Sequence, residues 1–264
     1  MLRRLTPIEF HRFAKVGKTN PAFAICEDEH GATVEVVAKF SGNCERGVTS
    51  LSMEVIAACL AADLGLPIPE PYLLNVSQEW AQLIPDAQQR LKITSSNPVA
   101  FGSHMLTGQY ADWTSGTKIS DPMVPTAAAI MFFDGTIQNP DRRVENPNCL
   151  TRGSEIRIYD HELTFSQDLV IGWIPPWVLG GMRTLENPLG LHIFRDGLRN
   201  RQIDFEPIRA AWLSVTDDRL DAYGNAIPIE WNDARTDVQS AIDLIRDIRN
   251  NVDACITELT RVLS

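Results

Sequence analysis

Apolar residues in the first hundred positions fall into short runs of the kind that form strands. Residues 21–26 and 34–40 are two such runs, and EDEHGA, an acidic turn that contains a glycine, joins them. This arrangement predicts a β-hairpin. Residues 72–77 predict another strand, and VAFGSHML at 99–106 is apolar again with a glycine inside it. The first part of the chain is therefore expected to be rich in strands.

One long apolar helix is predicted between these strands. The segment SLSMEVIAACLAADLGL at 50–66 contains mostly apolar and small residues. We predict that Ser50 caps this helix and that Gly65, which Pro67 and Pro69 follow, ends it.

The second half of the chain has a helical pattern. TAAAIMFFDGTI at 126–137 predicts a helix that ends before Asn139 and Pro140. The last predicted helix begins near Asp233 and carries an apolar stripe at steps of three and four residues. We expect this stripe to pack on its own domain rather than in a coiled coil or on a partner. Its members are Val238, Ala241, Ile245, Ile248, Val252, Cys255, Leu259 and Val262.

Composition narrows the class of protein. The chain has 264 residues and a formal net charge of −10, which argues against a general binder of nucleic acids or membrane surfaces. Its five cysteines are odd in number and include no C-x-x-C pair, so reduced thiols and no cysteine zinc site are expected. The histidines lack the spacing of a zinc hydrolase. With no signal peptide or membrane span in the sequence, a cytoplasmic location is expected.

The polar segment NPDRRVEN at 139–146 places Asp141 five positions before Asn146, and Asp160 ends the apolar run EIRIYD. In phosphoryl transfer, one aspartate orients the acceptor hydroxyl and accepts its proton. An asparagine and a later aspartate bind magnesium. The spacing D-x-x-x-x-N matches the catalytic loop of protein kinases. A polar turn after a helix is the alternative, but the following strand with its aspartate and a matching upstream lysine favour a kinase.

That lysine is Lys39, near the end of the apolar strand VEVVAKF. The position is like that of the kinase lysine that contacts the α- and β-phosphates of ATP and pairs with a glutamate on the next helix. Glu54 is the natural partner. The alternatives are a strand-end lysine that extends to water and a solvated helix position. Because a lysine facing a cleft contributes little to the core, loss of Lys39 is expected to damage ATP use more than folding.

The phosphates of a nucleotide need a loop of backbone amides. A loop at 17–20 is the nearest candidate, and the glycine-bearing loop at 41–47 is its rival. The first loop is not a P-loop, because Arg12 stands where that motif needs its first glycine. The adenine hinge is expected within 101–106. The residues of the first loop are Gly17, Lys18, Thr19 and Asn20.

Together these residues resemble the HipA-like kinases over most of the chain, in VVAKF, SMEVIAACLAADLGLPIPEPYLL, FFDGTIQNPDRRVENPNCL and IYDHELTF. The resemblance implies ATP and Mg²⁺ as cofactors, Asp141 as the catalytic aspartate, and Asn146 and Asp160 as magnesium ligands. Asn148 is expected to assist. His161, beside Asp160, either tunes the metal site or makes a structural hydrogen bond.

The order of elements agrees with this resemblance. A strand-rich first part with one helix, followed by a helical remainder, is the order of a bilobal kinase. We predict an α+β, protein-kinase-like fold with a small β-rich N-lobe at 1–104 and a mostly helical C-lobe at 105–264. The chain departs from protein kinases in having Asn139-Pro140 before the catalytic aspartate and His161-Glu162 after the metal aspartate.

The resemblance further implies a serine/threonine protein kinase, of the kind found as toxins of toxin–antitoxin modules, with a protein substrate and an antitoxin as partners. It also implies self-phosphorylation in the phosphate loop, at Thr19, with Thr49 and Ser50 as rivals. A lipid or inositol kinase is the first alternative, although the acidic chain has no polybasic segment for an anionic membrane. A pseudokinase that binds or neutralises a partner is the second.

Overall fold

Five strands of the first part close into a barrel, in the order β1-β2-β3-β5-β4. A computed structural model describes residues 2–15, 17–186 and 191–264. Within them a second sheet has the order β6-β7-β8. The strands are β1 Arg3–Phe13, β2 Ala22–Glu27, β3 Thr33–Lys39, β4 Pro71–Asn75, β5 Val99–His104, β6 Ala111–Asp112, β7 Cys149–Arg152 and β8 Glu155–Ile158.

Helices fill most of the second half, so the fold belongs to the mixed α+β class, as predicted. The helices of the described residues are α1 Val48–Asp63, α2 Gln78–Gln82, α3 Ala87–Thr94, α4 Val124–Thr136, α5 Arg195–Leu198, α6 Glu206–Leu213, α7 Asp217–Ala226, α8 Arg235–Asn250 and α9 Val252–Val262. None of the helices in these ranges is both long and apolar enough to cross a membrane.

Strand β1 was not predicted from the sequence. Its residues are mostly exposed, with Leu5 and Pro7 as its buried members, so it lacks a clear two-residue alternation of apolar positions. The strand is held by its neighbours: it pairs antiparallel with β2 and parallel with β4, where Leu5 lies opposite Leu74. Pairing on both edges closes the barrel and leaves no open edge.

Helix α1 lies at the centre of the molecule. It is apolar on all sides and buries most of its residues, as expected for a helix with no solvent face. It contacts the barrel strand β5 on one side and α7 and α8 on another. The predicted cap is wrong: Gly47, at φ 56°, is the N-cap, and Ser50 lies inside the helix, fully buried.

The hydrophobic cluster that contains Met53 and Ile56 of α1 also contains residues of α4, α8 and α9. A second cluster fills the barrel. Because α1 shares its core with the C-terminal helices, the division at residue 104 is not marked by a break in packing. The two-lobe boundary stays a prediction.

The C-terminal stripe packs on its own domain, as predicted, and all eight of its members are buried in the main cluster. The single helix expected there is wrong, because Asn251 has non-helical backbone angles and separates α8 from α9. Its side chain donates to the backbone oxygen of Asp247 at 2.8 Å. The break lets both apolar faces reach the same core.

Candidate active site

Lys39 ends β3 and contacts three carboxylates. Its Nζ donates to Glu54, to Asp160 at 2.6 Å and to Glu162 at 3.3 Å. The structure thus brings Lys39, Glu54 and Asp160 together as the sequence predicts. Lys39 is only 7% exposed, so the premise of a lysine facing an open cleft is wrong. In the sheet it lies opposite Phe101, the first residue of the predicted hinge.

The charges of this cluster control each other. Burial alone would lower the pKa of Lys39, but Asp160, Glu54 and Glu162 raise it well above its ordinary value, so the side chain is a cation. Burial raises the pKa of Glu54 despite the opposing effect of Lys39. Burial also favours a higher pKa for Asp160, but Lys39 overcomes it and lowers that pKa.

The candidate catalytic loop follows α4 and contains Asp141. Asn139 forms the turn before it: its Oδ1 accepts the N–H of Asp141 at 3.0 Å. The Asp141 Oδ2 accepts from the Nδ2 atoms of Asn146 at 2.6 Å and Asn148 at 3.4 Å. The structure therefore brings the three predicted loop residues together, and the described hydrogen bonds do not join Asn146 to Asp160. Their roles in transfer stay predictions.

Asp160 lies two residues beyond the end of β8, at φ 62°. This left-handed conformation is uncommon for a residue other than glycine, so neighbouring contacts must hold it. An oxygen of Asp160, one of Glu54 and one of Glu162 lie within 4.8 Å of one another. Carboxylate oxygens are ligands that Mg²⁺ prefers. Three carboxylates beside one ammonium leave negative charge that a divalent cation would neutralise, so these residues fit magnesium.

Behind the catalytic loop, Arg142 forms a fully buried ion pair with Asp134 of α4, with 2.6 Å between Nε and Oδ2. Its Nη2 donates to the Nε2 of His161 at 2.8 Å. The same Oδ2 of Asp134 also accepts from the Nε2 of His192 at 3.1 Å. The Nδ1 of His192 accepts the N–H of Phe194 at 3.3 Å. This pattern satisfies a neutral imidazole.

Both histidines of this network are uncharged. Burial, with Arg142 beside it, lowers the pKa of His161 to about 3, and its Nε2 must be an acceptor because an arginine N–H faces it. Burial likewise lowers the pKa of His192. For Asp134, burial opposes ionisation, but Arg142 and His192 hold its pKa far below the usual range. His161 therefore makes structural hydrogen bonds, which was one of its two predicted roles.

The loop at 17–20 lies at the tip of the hairpin between β1 and β2. Gly17 has φ 110°, a conformation suited to glycine, and Asn20 has φ 42°. Thr19 is buried, whereas Lys18 is exposed. Among the described residues, no hydrogen bond joins this loop to the Lys39 cluster. Its role as the phosphate loop stays a prediction.

The rival loop at 41–47 is tied to other elements. The N–H of Gly42 donates to the Oγ of Ser96 at 2.8 Å. Arg46 pairs with Asp237 of α8 at 2.6 Å. These contacts hold the loop between α3 and α8. The Sγ of Cys44 in the same loop donates to the Oε2 of Glu162 at 3.9 Å, so the loop also reaches the Lys39 cluster. Its role as the phosphate loop stays a prediction.

Three residues of the site escaped prediction: Glu162, Arg142 and Asp134. Glu162 lies in the segment HELTF, but its position in the sequence relative to Lys39 does not show that the two side chains are in contact. A signal did exist for Asp134, because a charged residue inside the apolar run TAAAIMFFDGTI needs a buried partner. The arginines that follow Asp141 were the nearest candidates.

Comparison with known proteins identifies the family of this chain. The structure is similar to the crystal structure of a Helicobacter pylori proinflammatory kinase, CtkA, with a TM-score of 0.47 and 13% identity over 96% of this chain and 99% of that one. No curated protein matches the sequence. The family model for HipA-like kinases matches residues 8–259, nearly the whole chain. The chain therefore belongs to the HipA-like kinase family.

Proposed function

We propose that the protein transfers the γ-phosphate of ATP, with Mg²⁺, to a serine or threonine hydroxyl of another protein. Family membership supports a kinase. The observation that carries the proposal further is the buried contact of Lys39 with Glu54 and Asp160. Lys39 and Asp160 are 121 positions apart in the chain, and an unpaired lysine or carboxylate would be costly at this depth.

Lys39 holds the nucleotide phosphates in this proposal. An ammonium has three N–H donors, and in the structure they meet three carboxylates. On nucleotide binding, the contacts to Asp160 and Glu162 give way to phosphate oxygens, while Glu54 keeps its contact. Glu54 is the most buried of the three carboxylates, with 3% of its side chain exposed, so it is the one that anchors Lys39.

Asp141 accepts the proton of the acceptor hydroxyl. Because Asn146 and Asn148 both contact its Oδ2, they orient the carboxylate. Oδ1, which lies 3.8 Å from the Nη2 of Arg143, accepts from the acceptor hydroxyl in this proposal. The hydroxyl oxygen bonds to the γ-phosphorus as the bond between that phosphorus and the bridging oxygen of ADP breaks. The proton passes to Asp141 and ADP leaves.

Asp160 and the Oδ1 of Asn146 would hold Mg²⁺. Asn146 uses only its Nδ2 on Asp141, so its oxygen is available as a ligand. When bound, the metal neutralises charge on the phosphate oxygens. Glu162 is the further carboxylate at this position.

The test compares the wild-type protein with Asp141→Ala, using γ-labelled ATP and Mg²⁺. Asp218→Ala, at an exposed position of α7, is the matched control. Transfer and hydrolysis should fall on the order of 10²-fold or more in Asp141→Ala with an unchanged circular dichroism spectrum, and stay at the wild-type level in the control. Equal transfer by wild type and Asp141→Ala would reject the proposal.

The acceptor class needs its own test. Label recovered on serine or threonine of a protein supports the proposal, whereas label on an inositol lipid in vesicles replaces it with a lipid kinase. A toxin role rests on the family resemblance alone. It predicts that expression in a bacterial host arrests growth with the wild-type gene and not with Asp141→Ala.

A further inference from the structure

One buried side chain contacts three segments around the site. Arg142 is 1% exposed, and its Nε, Nη1 and Nη2 atoms all donate to acceptors. It binds α4 through Asp134, and its Nη1 donates to the backbone oxygen of Asn148 at 2.5 Å. Nη1 also lies 3.4 Å from the backbone oxygen of Tyr159, and Nη2 binds His161. An arginine forms five such contacts in a fixed plane.

Two of these contacts stand on either side of Asp160. Tyr159 precedes Asp160 and His161 follows it, so Arg142 holds the backbone on one flank and the imidazole side chain on the other. Asp160 has φ 62°, a conformation that costs energy for a residue with a Cβ. The contacts with Arg142 oppose its relaxation. Arg142 also follows Asp141 directly in the chain, so the same residue is linked to both aspartates.

We infer that Arg142 is the positioning residue that sets the distance between Asp141 and Asp160. This inference rests on the proposed function, because it assigns these two aspartates to the acceptor and the metal. Arg142 touches neither substrate nor metal in this scheme. It acts by holding the peptide segments that carry both carboxylates, as second-layer groups do at metal sites.

His161 extends this control to the nucleotide side. Its Nε2 accepts from Arg142, and its backbone N–H donates to the Oε2 of Glu54 at 3.0 Å. Glu54 in turn binds Lys39. The buried contacts therefore run from α4 through Arg142 and His161 to α1 and β3. A single network places the acceptor aspartate, the metal aspartate and the phosphate lysine.

The experiment uses variants that change the network without removing the acceptor aspartate, a magnesium ligand or the phosphate lysine. Arg142→Lys keeps the charge but loses the planar fork. His161→Phe removes the acceptor for Arg142, whereas His161→Gln places an amide oxygen near the position of Nε2. Arg261→Lys is the control, because Arg261 also binds two carboxylates, Glu258 and Glu186. Melting temperature and circular dichroism report folding for each variant.

The decisive measurement is ATP binding by calorimetry as a function of Mg²⁺ concentration, which needs no turnover. In Arg142→Lys and His161→Phe, the Mg²⁺ concentration for half-maximal binding should rise about 10- to 100-fold, the range for second-layer groups of metal sites. Binding without metal should change less than binding with metal, because both variants keep the backbone N–H of residue 161 that binds Glu54 and the contact of Glu54 with Lys39. In these two variants the kcat for transfer should fall together with the affinity for Mg²⁺. In His161→Gln both the kcat and the Mg²⁺ affinity should be higher than in His161→Phe and close to the wild-type values.

Several results would overturn the inference. One is wild-type Mg²⁺ dependence in folded Arg142→Lys. Another is that Arg261→Lys raises the Mg²⁺ concentration for half-maximal ATP binding as much as Arg142→Lys does when both variants lose the same melting temperature. This would show a merely structural effect. If Arg142→Lys does not fold, His161→Phe decides, and identical behaviour of His161→Phe and His161→Gln rejects the network. A wild-type protein that binds Mg²⁺ and ATP but transfers no phosphate would reject the proposed function alone.

Discussion

Replacing Lys39 with methionine should destabilise the fold in a pH-dependent way. The change keeps an unbranched side chain of similar length but removes the cation that Glu54, Asp160 and Glu162 share. Lys39 and Glu54 are the buried members, with 9% and 3% of their side chains exposed. Removing one partner of a buried pair costs about 3–5 kcal/mol. Asp160, with 25% of its side chain exposed, adds less because water screens it.

The pH dependence has a definite sign. Burial already raises the pKa of Glu54 in the presence of Lys39, and the variant loses the cation that opposes this rise. A raised carboxyl pKa means that the folded variant binds a proton that the unfolded chain releases above about pH 4.3. The penalty is therefore complete above the raised pKa and shrinks as the pH falls toward the ordinary value.

Urea unfolding at pH 8 and pH 6, followed by tryptophan fluorescence, measures both effects. Lys39→Met should lose about 3–5 kcal/mol at pH 8 and less at pH 6. Adding Glu54→Gln should recover most of the loss, because the amide oxygen still accepts the N–H of His161. Arg4→Met, which breaks an exposed pair with Glu230, is the control and should lose less than about 1 kcal/mol. A loss under about 1 kcal/mol in Lys39→Met, or a double variant as unstable as the single one, would refute the reasoning.

Three further predictions follow from the site. Asp160→Asn should keep the fold, since asparagine tolerates positive φ, while Mg²⁺-dependent ATP binding weakens in calorimetry. Equal binding with and without metal in the wild type would contradict the metal assignment. Because His192 is buried and neutral beside Asp134, acid should favour the unfolded chain. Stability should therefore fall below about pH 6.5 by up to about 1.4 kcal/mol per pH unit for this residue, and urea unfolding of His192→Gln should show a shallower slope. Mass spectrometry should find phosphate on Thr19 of the active protein and not of Asp141→Ala. An active enzyme without it would reject self-modification there.

Much of the candidate site could be predicted from the sequence because each of its residues lies in a local pattern. Lys39 ends an apolar strand, Glu54 lies in the second turn of an apolar helix, and Asp160 follows a short strand. These patterns depend on neighbours within a few positions, so periodicity and turn chemistry are enough to find them. The separation of Asp141 and Asn146 is likewise local.

Other features depended on contacts between distant segments. Strand β1 has few buried residues and exists because β2 and β4 pair with its edges. Helix α1 begins at Val48 and has Gly47 as its cap, although Ser50 is the better cap by residue type. Packing on all sides of α1 takes Ser50 into the interior instead. Propensity is a weak guide where tertiary contacts are this extensive.

The sequence by itself determined the kind of most elements and identified Lys39, Glu54 and Asp160, which the structure brings together, because both follow from side-chain type and spacing along the chain. Only the tertiary structure decided that Glu162 reaches Lys39 and that Arg142 joins Asp134 to His161. A buried charge requires a partner of opposite charge, but the sequence alone does not distinguish between the carboxylates that could be the partner of a buried lysine or arginine. Which one does so depends on the three-dimensional path of the backbone, and that path results from the packing of the whole core.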